Sequence, residues 1–178
     1  MSVRNDRRSA ILASVGLAVG GALGLAGTFA PSASLRGLAW GGDGLALVMA
    51  SALLTLRFYR QDQDVVAAGF LVFAVGEGVV LSGAAMDLAQ SGPSFGAGAG
   101  LWAVALALIS LPRAFPLAVR LLGIGASLLF AATAGQIFAG ARIVPTSSPL
   151  PFYAYPLFVA TFVGWIWTIL KTSQASGQ

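Results

Sequence analysis

Two carboxyl side chains lie inside long apolar stretches of this sequence. Glu77 stands between Gly76 and Gly78, about twelve residues into the apolar stretch that begins at Val65, and Asp43 lies near the start of another. An ionised carboxylate at membrane depth is costly, so both side chains should face the interior of a helical bundle. Intramembrane carboxyls mark ion and substrate pathways. The two residues therefore predict a proton- or cation-responsive site, or the polar floor of a small-ligand pocket.

Further polar side chains are expected at the same depth. At about 1.5 Å per residue, Glu77 lies roughly 18 Å and Asp43 roughly 22 Å from the inner edge of the bilayer. The candidate polar site therefore consists of Glu77, Asp43, Gln136, Thr133 and Thr161. The structural alternative is that a neutral Glu77 bonds a neighbouring carbonyl group and that Asp43 pairs with Arg36 near the membrane surface.

The residue types that are missing exclude several chemistries. The chain has no Cys and no His, which excludes disulfides, thiolate ligands, an imidazole base and a Ser–His–Asp triad. It also lacks the P-loop, dinucleotide-binding and GxSxG motifs. We therefore expect no cofactor, no metal and no catalytic residues. A membrane enzyme that uses carboxylates and Arg on a lipid or isoprenoid substrate is the remaining enzymatic alternative.

The composition predicts that membrane-spanning helices position these side chains. Charged residues make up 9% of the 178 residues and apolar residues 57%, whereas a soluble domain has about 25% charged residues. A spanning helix needs about 20 apolar residues. The sequence predicts an all-α, polytopic membrane protein, a compact single domain of six transmembrane helices at about 9–30, 38–56, 65–86, 97–111, 117–139 and 153–170.

The first apolar stretch has an alternative interpretation as a cleaved signal peptide. Arg4, Arg7 and Arg8 would then form its positively charged region. The apolar run is longer than the 7–15 residues or so that are typical of such a peptide. We therefore expect a retained helix.

The distribution of basic residues predicts that both termini are cytoplasmic. If the N-terminus is inside, the outer loops hold Arg36 and Arg142. The inner segments then hold Arg4, Arg7, Arg8, Arg57, Arg60, Arg113, Arg120 and Lys171. Inner loops of membrane proteins carry the excess of Lys and Arg. Aromatic residues are expected to anchor the outer interface: Trp40, Trp102, Tyr153 and Tyr155. Nine of the ten basic residues are Arg, and Ala and Gly are abundant; this composition favours a bacterial inner (plasma) membrane.

Two helices carry small residues on one face, and such faces pack closely in membranes. They are Gly16, Gly20 and Gly24 in the first helix and Gly69, Gly76 and Gly83 in the third. The simple interpretation is tight packing within one chain. The alternative is that the face of the first helix docks another membrane protein.

These features favour a non-enzymatic accessory or assembly subunit of a membrane complex. The expected partners are the lipid bilayer and either another membrane protein or a second copy of the chain. Nucleic acid is not expected, because the ten basic residues are scattered among short loops. The alternative function is a small transporter or ligand-binding membrane component with a buried carboxylate site around Glu77.

Overall fold

The computed structural model describes residues 3–84, 88 and 90–175, and this part of the chain forms six α-helices. They are α1 (Val3–Thr28), α2 (Ala33–Tyr59), α3 (Asp64–Ala84), α4 (Gly92–Ser110), α5 (Leu117–Phe138) and α6 (Ala154–Ala175). Each contains a segment of 19 to 27 residues that is long and apolar enough to cross a membrane. At about 1.5 Å per residue even the shortest matches a bilayer core about 30 Å thick. The prediction of an all-α chain with six such helices is confirmed.

Several helices extend beyond the apolar stretches that predict them. Helix α1 begins at residue 3 rather than 9, α2 at 33 rather than 38, and α4 at 92 rather than 97. Residues that favour a helix start account for two of these shifts. The Ser32 side chain accepts a hydrogen bond from the Leu35 N–H at 3.2 Å, and Pro93 occupies the first turn of α4, where its missing N–H costs nothing. The predicted end of the third helix at residue 86 lies outside the described residues.

The six helices form a closed ring in chain order. Each helix contacts the next along the chain, and α6 contacts α1. Short connections between contacting neighbours make consecutive helices antiparallel. The connections α1–α2, α3–α4 and α5–α6 therefore meet at one end of the bundle, called the upper end below, and the connections α2–α3 and α4–α5 lie at the lower end.

Aromatic side chains fill the middle of the ring. Phe70, Phe73, Phe130 and Trp165 are fully buried, and the Trp165 ring packs edge-on against Phe70 with centroids 5.1 Å apart. The outer surface, in contrast, is rich in exposed large apolar side chains: Leu38, Met49, Leu128 and Phe138 are examples. An apolar surface of this extent suits contact with lipid rather than with water.

Both small-residue faces are occupied within the chain. A Cβ atom added to Gly16 would lie 2.9 Å from the carbonyl oxygen of Ala46, and one added to Gly24 would lie 2.7 Å from Oδ2 of Asp43. Helix α1 therefore presents its glycine face to α2. In the same way, α3 faces α4 with Gly69, Gly76 and Gly83. The α1 face that was the candidate docking surface for a partner is covered by α2.

Candidate functional site

A cavity of about 70 Å³ lies inside the ring towards its upper end. Helices α1, α2, α3, α4 and α6 line it, together with Pro145 from the α5–α6 connection. The lining side chains are mostly apolar. They belong to Gly20, Gly21, Gly24, Leu25, Thr28, Trp40, Asp43, Leu47, Glu77, Val80, Leu81, Phe95, Trp102, Pro145, Tyr155, Phe158, Val159 and Phe162.

Glu77 is the most deeply buried acidic residue of the cavity. Its side chain is 3% exposed, and its Oε1 atom has no hydrogen-bond partner. The indole of Trp102 lies beside this carboxyl, but its N–H is also without a partner at hydrogen-bonding geometry. The expected structural role of Glu77, a bond to a neighbouring carbonyl group, is therefore not seen at Oε1. A buried acceptor and a buried donor both remain free to bind a third group.

Asp43 lines the same cavity from α2, and the glycines of α1 make room for it. A Cβ atom at Gly20 would lie 3.3 Å from Oδ1 of Asp43, and Gly24 is closer still. The half-buried Asp43 side chain leaves Oδ1 without a hydrogen-bond partner. Two acidic side chains from adjacent helices thus present acceptors to one small space, and they lie close enough to repel each other when both are ionised.

Arg36 does not fill the pairing role that the sequence suggested for it. Its guanidinium donates a hydrogen bond to the carbonyl oxygen of Ala30 at 3.2 Å and lies 5.9 Å from the ring centroid of Trp40. Because α2 begins at Ala33, Asp43 is ten residues into the helix rather than five. This deeper position separates the Asp43 carboxyl from Arg36, which lies in the first turn of α2.

The aromatic part of the lining is held together by ring contacts. Trp102 and Phe158 have centroids 5.4 Å apart, and those of Phe158 and Phe162 are 4.5 Å apart. The Tyr155 hydroxyl donates to the carbonyl oxygen of Pro145 at 3.2 Å, which fastens the α5–α6 connection over the cavity. These contacts fix the shape of the lining.

Three aromatic residues that the sequence placed at the outer interface line this cavity instead. They are Trp40, Trp102 and Tyr155, whereas Tyr153 is 59% exposed. The aromatic-belt rule describes depth and not the side of the helix on which a ring lies. A usable signal was present in α6, where Tyr155, Phe158, Phe162 and Trp165 recur every three or four residues and form one face.

The structure brings Asp43 and Glu77 together but not the other three predicted site residues. Gln136 is exposed. The buried Thr133 and Thr161 hydroxyls each donate to a carbonyl of their own helix, that of Leu129 at 2.8 Å and that of Leu157 at 2.7 Å. None of the three lines the cavity, and α5 contributes no residue to its lining. Equal depth in the membrane does not imply a shared face.

A second, larger pocket adjoins the first at the upper end. It has a volume of about 280 Å³ and shares Trp40, Val80, Phe95 and Pro145 with the cavity. Arg36, Ser91 and Ser94 add polar groups to its lining. The shared residues form the partition between this upper pocket and the carboxyl-lined cavity, so the upper end is the shorter route between the cavity and the outside of the bundle.

The fold defines a class of protein: a multi-pass helical membrane protein with an internal, carboxyl-lined cavity. Six helices are long and apolar enough to cross a membrane. No protein-family model, curated protein or solved structure matches the chain. Within residues 3–84, 88 and 90–175, no three or more His, Cys, Asp or Glu side chains group in a way that could hold a metal ion.

Proposed function

We propose that this chain binds a small ligand inside the membrane, in the cavity of Glu77 and Asp43, as a small transporter or as the ligand-binding component of one. The supporting observation is the Glu77 carboxyl, 3% exposed, with an oxygen that lacks a hydrogen-bond partner beside open space. A buried acceptor without a partner costs about 1–3 kcal/mol. A ligand that donates a hydrogen bond to Glu77 removes this cost. If the residue at position 77 served only to pack the helices, an apolar side chain would be more favourable there.

The cavity has the general form of a ligand site. Such sites are enclosed, largely apolar and provided with a few convergent polar groups. Here two carboxyls converge from α2 and α3, and an aromatic face of α6 supplies the opposite wall. Transporters bind their substrates between helices near the middle of the membrane, and Glu77 is about thirteen residues along a helix of 21.

We propose further that both termini are cytoplasmic, in the inner (plasma) membrane of a bacterium, and that the upper end faces outward. The distribution of basic residues supports this orientation. At the upper end, Arg36 lies beside the α1–α2 connection and Arg142 lies in the α5–α6 connection, whereas the lower end and the termini carry eight basic residues. In this orientation the ligand reaches the cavity from the outer side.

An accessory or assembly subunit is the second candidate. It is favoured by the small size of the connections: residues 29–32, 60–63 and 111–116 join their helices with four to six residues each. A chain with so little mass outside the membrane offers its helices as its main contact surface. Purification in a mild detergent, followed by mass spectrometry of bound proteins, tests this candidate. A stoichiometric membrane partner that is retained equally by the wild type and by Glu77→Gln would favour it.

The ligand-binding proposal is tested by the small molecules that accompany the purified protein. Wild type, Glu77→Gln and Asp64→Asn are purified in parallel, and the small molecules they release on denaturation are compared by mass spectrometry. Asp64 is an exposed carboxyl at the start of α3 and serves as the matched control. We expect a compound that the wild type and Asp64→Asn retain and that Glu77→Gln loses while still eluting as a monodisperse species. Identical contents in all three proteins would contradict the proposal.

A further inference from the structure

We propose that the ligand of this cavity is a small organic cation, an ammonium ion that carries one to three methyl groups. The inference rests on the proposed function and specifies the chemical class of the ligand. Four properties of the cavity support it: the sign of its charge, its unpartnered acceptors, its aromatic wall and its size.

The charge of the lining selects a cation. Asp43 and Glu77 are acidic, and no Lys or Arg belongs to the lining. Arg36 lies in the adjoining upper pocket, where it donates to Ala30 and lies over Trp40. Two carboxylates in a confined apolar space repel each other, and a positive charge between them offsets the repulsion of both. An anion would add to the repulsion.

The unpartnered oxygens select a hydrogen-bond donor. Oε1 of Glu77 and Oδ1 of Asp43 are buried acceptors without partners in the described structure. An ionised carboxylate accepts hydrogen bonds and donates none. Hydrogen bonds from a charged N–H group to a carboxylate are shorter and stronger than neutral ones. The N–H groups of a partly methylated ammonium ion match this requirement.

The aromatic wall selects a weakly hydrated cation over a metal ion. Aromatic rings attract organic cations, and cages of such rings are the usual recognition site for methylated ammonium groups. Trp102, Tyr155 and Phe158 line the cavity together with Trp40. Calcium takes six to eight oxygen ligands or so, and magnesium demands an octahedral set. Two carboxyls and a hydrocarbon wall do not replace the hydration shell of such an ion.

The size limits the ion to a few non-hydrogen atoms. The cavity has a volume of about 70 Å³, about half of the roughly 150 Å³ that accommodates benzene with its six carbon atoms. By this proportion about three non-hydrogen atoms fit, and because the cavity is partly open it accommodates a fourth. Trimethylammonium has four, and its methyl groups contact the apolar wall while its single N–H points to a carboxyl.

Thermal unfolding of the purified protein at pH 7 tests this assignment with defined probes. A ligand that binds the folded state stabilises it by RT ln(1 + L/Kd), where L is the free ligand concentration, and so raises the unfolding temperature as that concentration exceeds Kd. The probes are methylammonium and trimethylammonium chloride. The controls are sodium chloride at equal ionic strength, calcium chloride, and isopropanol, a neutral molecule with the same four non-hydrogen atoms as trimethylammonium. We expect stabilisation by the two ammonium salts above that by sodium chloride and none by isopropanol.

Variants locate the effect in the cavity. Glu77→Gln keeps the shape of the side chain and removes its charge, so we expect a Kd for trimethylammonium about tenfold higher or more. Phe158→Leu removes an aromatic ring from the wall, and we expect a Kd about three- to tenfold higher. Asp64→Asn, outside the cavity, should leave the Kd unchanged.

Each failure has a separate meaning. If isopropanol stabilises the protein as strongly as trimethylammonium does, or if calcium does so more strongly, the cationic assignment is overturned and ligand binding stands. If the ammonium salts act equally on wild type and Glu77→Gln, the assignment is overturned as well. If no probe acts and no compound accompanies the purified wild type, both the assignment and the proposed function are overturned.

Discussion

The Asp43 carboxyl packs directly on Gly24 of the neighbouring helix: a Cβ atom at Gly24 would lie 2.7 Å from Oδ2 and 3.2 Å from Cγ. The glycine face of α1 therefore forms part of the site as well as a packing surface. We expect Gly24→Ala to displace the Asp43 side chain and to destabilise the protein by about 1–3 kcal/mol, the usual cost of overpacking. Unfolding midpoints measured in one detergent test this.

Two further variants separate overpacking from a general effect of the substitution. Nothing lies within 4 Å of a Cβ atom at Gly135 in α5, so Gly135→Ala should be neutral or stabilising through its better helix propensity. In the double variant Gly24→Ala, Asp43→Ala the obstructing carboxyl is gone, and we expect the two substitutions to couple favourably in a double-mutant cycle. Additive effects would show that Asp43 is not the group that Gly24 accommodates.

Trp165 and Trp167 stand two residues apart in α6 and should differ sharply in their contribution to stability. Trp165 is fully buried among phenylalanine rings, whereas Trp167 is 55% exposed. We expect Trp165→Ala to lower the free energy of unfolding by about 3–5 kcal/mol, because it leaves a large void. Trp167→Ala should change it by about 0.5 kcal/mol or less in detergent. Comparable losses for the two variants would place the aromatic core elsewhere.

The number of helices could be predicted from the sequence because the requirement for a spanning helix concerns only neighbouring residues along the chain. A spanning helix needs enough consecutive apolar residues, and a window of composition detects this. The helix ends were less accessible, since Ser32 and Pro93 extend helices through local hydrogen bonding and backbone geometry rather than through hydropathy. The misplaced start of α2 in turn misplaced Asp43 along its helix.

The candidate site could be predicted only as far as the two carboxyls that line the cavity. The cost of an intramembrane charge singles out Glu77 from one sequence alone, and Asp43 follows from the same argument. Depth also selected Gln136, which lies on an exposed face of α5. Short connections favour contacts between consecutive helices, but they do not determine the rotation of each helix about its own axis, which decides the side that faces the cavity. The aromatic wall of Trp102 and Tyr155 depends on the same information.

Arg120, in the first turn of α5, links this helix to the end of α4. Its Nε atom donates to the carbonyl oxygen of Ser110 at 2.8 Å and its Nη2 atom to that of Leu111 at 2.7 Å. The last carbonyls of a helix lack partners within the helix, and a cation near them is favourable. We expect Arg120→Ala to lower the free energy of unfolding by about 1–2 kcal/mol. Arg113→Ala, in the α4–α5 connection and exposed, should have little effect, and an equal loss for the two would argue against this capping role.

The proposed orientation predicts which connections are accessible from outside the cell. The chain has no Cys, so single cysteines introduced at exposed positions report their own location. Ala141→Cys lies in the α5–α6 connection at the upper end, and Gln61→Cys lies in the α2–α3 connection at the lower end. A maleimide that does not cross membranes should label Ala141→Cys in intact cells and Gln61→Cys only after permeabilisation, because the basic residues keep the lower end inside. The opposite pattern would reverse the orientation and would open the Glu77 cavity towards the cytoplasm.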